Sequence, residues 1–121
     1  RSINNKKRAN TENRVKKLIT QIVKKRNLKH KFYKTYDQEA VMCNENLKKY
    51  LVKAFKKFKM KPFQLPSGAT HDASAMSDLC DISMLFVRSK NGLSHNPKEY
   101  SSEKDMKLAI KILETVLLSL K

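Results

Sequence analysis

Apolar residues recur at helical spacing in three long segments of this chain, and this periodicity constrains the fold more than any other feature of the sequence. The helices predicted from it cover residues 11–27, 44–60 and 102–120. Short segments of strand character lie between them, over residues 29–37, 62–65 and 82–87. Residues 71–79 predict one further, shorter helix. Helices and strands would then alternate along the chain, and this alternation predicts an α/β architecture.

Capping residues mark where the three longer helices should begin. Thr11 or Asn10 is the expected N-cap of the first helix, and Asn44 that of the second. The last helix follows Ser102-Glu103-Lys104-Asp105, an approximate capping box in which Asp replaces the usual Glu. That helix is expected to pack on the apolar segment 82–87.

Basic residues are concentrated in the first half of the chain. Residues 1–61 hold 20 Lys and Arg against 4 Asp and Glu, whereas residues 62–121 hold 7 against 7. Although 121 residues usually form one domain, this contrast indicates two subregions, with the boundary near residues 37–43. We place the boundary so that residues 1–38 form one part and residues 39–121 the other.

The net charge of +16 makes nucleic-acid binding the first function to consider. The lysines come in pairs on helices whose other face is apolar, which is typical of a solvated surface. No nucleic-acid reading motif or stacking platform accompanies them, so nucleic acid is not the expected partner. A basic, non-enzymatic nucleic-acid-binding module remains the alternative function.

The apolar runs, the cysteines and the first residue restrict the other classes of protein to which this chain could belong. No apolar run approaches the length of a membrane span, so no span is expected. Attachment to a membrane surface is a minor alternative, because the helices are amphipathic but the chain has no tryptophan for the interface. Cys43 and Cys80 form neither a disulfide framework nor a CxxC zinc motif, which favours a reducing, cytoplasmic setting. The chain begins with Arg1 rather than Met, and we expect it to be a piece of a longer protein.

Two segments could carry chemistry. In the first, residues 65–73 combine a strand end, a turn of small residues and a helix start, an arrangement that leaves backbone N–H groups facing a ligand. An ordinary connection with His71 or Asp72 as helix cap would look the same. In the second, His95 lies on the long loop 89–101 after the most apolar segment, where it is either a metal ligand or simply exposed.

Taken together, the two segments resemble, in order and separation, the end of the allantoate amidohydrolase, N-carbamoyl-L-amino-acid hydrolase and β-ureidopropionase family. That family has a PSGAGHDA segment, a hydrophobic strand and then GGISHxPxE before a last helix. Residues 66–73 read PSGATHDA here, and residues 91–99 read NGLSHNPKE. Arg1, Ser2 and Ile3 resemble the end of an Asp-Ile-Arg-Ser-like strand motif in the family's lid, or dimerisation, domain.

The resemblance implies roles for individual residues. His95 would be the last metal ligand of a binuclear zinc or manganese centre. Arg1 would reach into a partner subunit's site and bind the substrate carboxylate, and Gly68 and Ala69 would present backbone to the substrate. His71 would shape the same substrate-binding turn, together with Asp72. Three residues depart from the family pattern: Thr70, Asn91 and Leu93. At Thr70 the family has glycine, so its Cβ would narrow the site or oppose a positive φ.

The resemblance also implies a fold and an activity. The chain would be the C-terminal part of a zinc-peptidase-like catalytic domain, preceded by the last helix and strand of the lid domain. The whole enzyme would be a homodimer that hydrolyses a C–N amide bond of a small-molecule substrate, an N-carbamoyl amino acid or allantoate. Two metal ions would polarise the carbonyl and activate a water. Because the base and the other ligands would lie upstream, this chain alone is expected to be inactive.

Overall fold

Helices are the regular structure of this chain in the computed structural model, which describes residues 2–120. The described α-helices are α1 (Asn5–Lys25), α2 (Glu45–Lys57), α3 (Asp72–Met76) and α4 (Glu103–Leu117). A single-turn 3₁₀-helix spans Lys90–Gly92. Within residues 2–120 no helix combines the length and the apolar character that crossing a bilayer requires. The described residues fall into two compact units, which are residues 2–42 with Pro66–Thr70, and Cys43–Leu65 with residues 71–120.

Helix α1 begins six residues earlier than its apolar periodicity predicts. Its N-cap is Asn4, whose side chain accepts a hydrogen bond from the Lys7 backbone N–H, so the prediction of Thr11 or Asn10 as N-cap is wrong. Thr11 lies inside the helix and donates its hydroxyl hydrogen to the Lys7 carbonyl at 2.9 Å. The first turns of α1 are polar and carry no apolar stripe, and the capping asparagine alone marks the start.

Ion pairs attach the segment after α1 to the helix within the first unit. Asp37 accepts from Arg8 on α1, and Lys34 lies 2.6 Å from Asp37 and 3.3 Å from Glu12. Hydrogen bonds from Lys34 and then Arg8 lower the pKa of Asp37 below its ordinary value. The Ala40 backbone N–H also donates to the Asn5 side chain, at 2.9 Å. Polar contacts, rather than a buried apolar core, therefore fix residues 34–40 on α1.

The second unit has a small apolar core where α2 and α4 pack together. Its buried members are Ala54 from α2, and Ile112 and Val116 from α4. Partly buried apolar side chains surround them: Tyr50, Leu51, Phe55, Phe58, Met60, Leu85 and Leu108. Because Leu85 belongs to the apolar segment 82–87, that segment packs against the same core as the last helix. The caps predicted for α2 and α4, Asn44 and Ser102, are confirmed.

No β-strand forms among residues 2–120, so the strand part of the α/β expectation is not confirmed. The three segments predicted as strands have no regular secondary structure. A β-strand needs a second strand with which to exchange backbone hydrogen bonds. The apolar periodicity of one segment does not determine whether such a second strand is present. In the segment 82–87, one backbone hydrogen bond is present, from the Asn44 N–H to the Ile82 carbonyl at 2.8 Å.

Candidate functional site

The turn predicted to meet the substrate contains Gly68 and Ala69, and both residues belong to the first unit. The Ala69 N–H donates to the Ser67 hydroxyl at 3.1 Å, which folds the turn on itself. Among residues 2–120, no atom lies within 4 Å of a Cβ built on Gly68, so these residues leave room for a side chain at this point. Thr70 is not among the described residues with positive φ, and its Cβ therefore imposes no left-handed strain there.

His71 and Asp72 follow the turn and lie in the second unit. His71 is the N-cap residue of α3 in an extended conformation, but its side chain makes no capping hydrogen bond. Its ring instead meets the Phe86 ring edge-on, with 6.0 Å between centroids. Asp72 is the first helical residue, where a carboxylate interacts favourably with the helix dipole. The aromatic contact thus orients the imidazole towards the apolar segment 82–87.

His95 lies on an exposed loop of the second unit whose backbone is tightly turned. The loop ends are joined by a hydrogen bond from the Lys90 N–H to the Tyr100 carbonyl, at 2.7 Å. Asn91, Gly92 and His95 all have left-handed backbone, with φ of 56°, 66° and 54°. Asparagine and histidine occur in this region more often than most residues, although the conformation still carries strain.

A side chain from the same loop holds the His95 turn in place. The Glu99 carboxylate accepts the His95 backbone N–H at 2.7 Å, and the Glu99 N–H donates to the Asn96 carbonyl at 2.8 Å. The Asn96 side chain also accepts from the Lys98 N–H, at 2.9 Å. These bonds constrain the backbone that carries the exposed His95 ring. Sequence reasoning did not assign this role to Glu99, although the residue belongs to the quoted motif.

The predicted site residues are not all gathered in one described unit. His71 and His95 belong to the second unit, Gly68 and Ala69 to the first, and Arg1 lies outside the described residues. No three His, Cys, Asp or Glu side chains of residues 2–120 come together as a possible metal-ligand group. A zinc site needs three or four protein ligands, so His95 alone does not fit a resident metal ion.

An open groove of about 720 Å³ lies in the first unit, between α1 and the segment 32–34. None of the predicted site residues within residues 2–120 lines it. Its charged side chains include Arg8, Glu12, Lys16 and Lys34, and these belong to the ion pairs between α1 and the following segment or within α1 itself. The groove is therefore part of the polar packing of that unit and adds no residue to the candidate site.

Known proteins match most of the chain. Residues 9–119 match the model of peptidase family M20/M25/M40, and the chain belongs to this family. It is 37% identical over 92 residues to N-carbamoyl-L-amino acid amidohydrolase of Geobacillus stearothermophilus, covering 76% of this chain and 22% of that protein. It is 32% identical over 100 residues to a Pseudomonas N-carbamoyl-L-amino-acid amidohydrolase, with 83% and 24% covered. Against the allantoate deiminase of Arabidopsis thaliana, the identity is 37% over 103 residues, with 78% and 20% covered.

These matches confirm the family resemblance that the motifs around residues 66–73 and 91–99 indicate. They do not favour the alternative of a basic nucleic-acid-binding module. The chain spans less than a quarter of the length of these three relatives, so their names describe proteins with much more polypeptide.

Proposed function

We propose that this chain is the C-terminal part of a metal-dependent amidohydrolase that cleaves a C–N amide bond of N-carbamoyl amino acids or of allantoate. The observation that carries this proposal is the similarity to relatives named for those two activities, each 37% identical over more than three quarters of the chain. The substrate is then a small molecule, and neither nucleic acid nor a membrane is a partner. The free thiols of Cys43 and Cys80 suit a reducing, cytoplasmic setting.

In this proposal His95 is one ligand of a binuclear zinc or manganese centre. The exposed ring and the backbone fixed through Glu99 support this role, because a metal ligand must be held in a defined position. The described residues alone do not fit such a centre. The other ligands and the catalytic base therefore belong to further polypeptide of the longer protein, and this chain by itself is inactive.

Substrate binding is assigned to the turn and to the first residue of the chain. Gly68 and Ala69 would offer backbone groups, and His71 would shape the same pocket. Arg1 would bind the substrate carboxylate across a homodimer interface, for which a planar guanidinium is well suited. Residues 1–38 would complete a lid, or dimerisation, domain, and residues 39–121 would complete the α/β catalytic domain of the longer protein.

A direct test compares this chain with a version extended to the length of its relatives. Both are incubated with N-carbamoyl-L-amino acids and with allantoate, with Zn²⁺ or Mn²⁺ added, and released amino acid and ammonia are measured. We expect hydrolysis by the extended protein alone. In it, His95→Ala should lower activity by at least about 100-fold, and His30→Ala, an exposed histidine of the first unit, should not. An extended protein inactive on both substrates with both metals would contradict the proposal.

A further inference from the structure

Asn91 and Gly92 form the one Asn-Gly pair of the sequence, and both are exposed on the loop that carries His95. Asn91 is also one of the residues at which this chain departs from the family motif. An asparagine followed by glycine is the asparagine most open to deamidation, because no side chain on the next residue shields the backbone nitrogen that attacks. A reactive carboxamide therefore lies a short distance along the chain before His95.

The deamidation reaction is intramolecular and consumes only water. The Gly92 nitrogen loses its proton and bonds to the Asn91 Cγ, while the Cγ–Nδ2 bond breaks and ammonia leaves. Water then opens the resulting succinimide ring at either carbonyl, which leaves aspartate or isoaspartate in place of Asn91. Both products carry a negative charge that the carboxamide lacks. Isoaspartate also directs the main chain through its Cβ.

The folded turn opposes the first step of this reaction. Asn91 has φ of 56° and ψ of 18°, and at this ψ the Gly92 nitrogen nearly eclipses the Asn91 nitrogen. Ring closure needs the Gly92 nitrogen to eclipse the Asn91 Cβ instead, so the Cα–C bond must rotate. The Gly92 N–H also donates to the Ser89 carbonyl at 3.1 Å, and this bond must break before the nitrogen attacks. Deamidation therefore requires an opened turn.

Opening this turn should cost little free energy. Lys90, Asn91 and Gly92 are exposed, so few apolar contacts are lost when the turn opens. The left-handed conformation of Asn91 is strained, and opening releases that strain. Exposed loops open locally at free energies far below that of global unfolding. The folded chain therefore populates the reactive conformation without unfolding.

We propose that Asn91 is a site of spontaneous deamidation and that opening of the turn 89–93 sets its rate. Isoaspartate lengthens the main chain by its Cβ atom, so the hydrogen bond from the Gly92 N–H to the Ser89 carbonyl no longer closes the same ring. The loop that leads to His95 loosens as a result. The inference does not rest on the proposed function, because the reaction needs only this chain and water.

The test measures deamidation at each asparagine by mass spectrometry, after incubation at neutral pH and peptic digestion at acid pH. Asn27 is the matched control, because it is exposed and left-handed, with φ of 50°, but is followed by Leu28 rather than glycine. We expect conversion at Asn91 to be at least about 10-fold faster than at Asn27. Equal rates at the two residues would overturn the proposal. So would an Asn91 that stays intact in the chain while a synthetic peptide of residues 86–100 is converted.

The same peptide tests the role of the turn. Asn91 should react about 10-fold more slowly in the folded chain than in the peptide, and urea should remove most of this difference, because it opens the turn. Equal rates without urea would contradict control by the turn.

The loosening of the loop is read from amide hydrogen exchange of Leu93 and His95 before and after prolonged incubation. Exchange at both amides should become faster in the incubated chain. The Asn91→Gly variant has no carboxamide to react, so its exchange should stay constant over the same incubation. Unchanged exchange in a chain that has formed isoaspartate would show that the product does not loosen the loop.

Discussion

Lys59 has a left-handed backbone, with φ of 55°, immediately after α2. The Met60 N–H donates to the Phe55 carbonyl at 3.0 Å, and the Lys59 N–H to the Lys56 carbonyl at 2.9 Å. These two bonds form a Schellman motif, and Met60 and Phe55 both pack against the core, as is usual for this motif. Glycine is the preferred residue at the left-handed position, because a Cβ there meets the following carbonyl oxygen.

Lys59→Gly should therefore stabilise the second unit by about 1 kcal/mol, through relief of the left-handed strain. Chemical denaturation followed by circular dichroism would measure the change. Lys57→Gly is the matched control, since it places the same substitution within α2 and should destabilise by about 1 kcal/mol. Destabilisation by both substitutions would mean that the left-handed conformation of Lys59 is not costly.

Glu99 acts through the backbone of His95, and its effect on activity can be predicted for the extended protein. Glu99→Ala removes the acceptor of the His95 N–H and should lower kcat by about 10- to 100-fold, the range found when residues that orient a ligand are replaced. Glu99→Gln keeps an acceptor oxygen and should restore most of the rate. Glu103→Ala, at an exposed ion pair with Lys107, should have no effect. Equal losses for the Ala and Gln variants would exclude this positioning role.

Helix α4 depends on the cap at its N-terminus. The Ser102 hydroxyl accepts from the Asp105 N–H at 3.1 Å and lies 2.6 Å from the Asp105 carboxylate, to which it donates. Ser102→Ala should destabilise the second unit by about 1 kcal/mol, measured by thermal or chemical denaturation. Ser101→Ala, one residue outside the cap, is expected to change the free energy of unfolding very little. An unchanged free energy of unfolding for Ser102→Ala would mean that the cap contributes nothing to stability.

The attachment of residues 34–37 to α1 should depend on pH. Hydrogen bonds from Lys34 and Arg8 hold the pKa of Asp37 below its ordinary value of 3.8. A lowered carboxyl pKa stabilises the folded state fully above the ordinary pKa, and this contribution is lost as the pH falls through the lowered value. The protection of the backbone amides of residues 34–37 against hydrogen exchange should therefore decrease below about pH 4. Asp37→Asn should weaken this decrease and leave the part that comes from Glu12, whose pKa Lys16 and Lys34 also lower, whereas Glu39→Gln should leave it unchanged. An Asp37→Asn variant with the same pH profile would contradict the assignment.

The elements that the sequence predicts well are those whose causes are local. Asn44 and Ser102 cap α2 and α4 as expected, because each side chain bonds the first turn of its own helix. The start of α1 was missed because its polar first turns show no apolar period. The predicted strands are not confirmed among residues 2–120, because strand pairing is not a local property and the periodicity of one segment does not determine it. At the candidate site the motif predicts His95 but not the hydrogen bond from the His95 N–H to the Glu99 carboxylate. That bond depends on the left-handed turn at His95, which the sequence pattern does not reveal.

At the scale of the whole molecule, the basic charge of residues 1–61 should act as a general electrostatic surface. We expect the chain to be retained on immobilised duplex DNA at low salt and released by about 150 mM salt, because screening shortens the reach of exposed charges to about 8 Å. An acidic polymer without bases should retain the chain over the same range. Retention of the chain on DNA alone above that concentration would favour a specific nucleic-acid site.

Among residues 2–120, the buried side chains of the apolar core are Ala54, Ile112 and Val116, and so small a core has a consequence for the isolated chain in a cell. A unit with so little buried apolar surface opens often, and open forms are the substrates of chaperones and quality-control proteases. Rapid degradation should therefore keep the abundance of the isolated chain low. A pulse-chase comparison with the extended protein would show a much shorter half-life for the 121-residue chain.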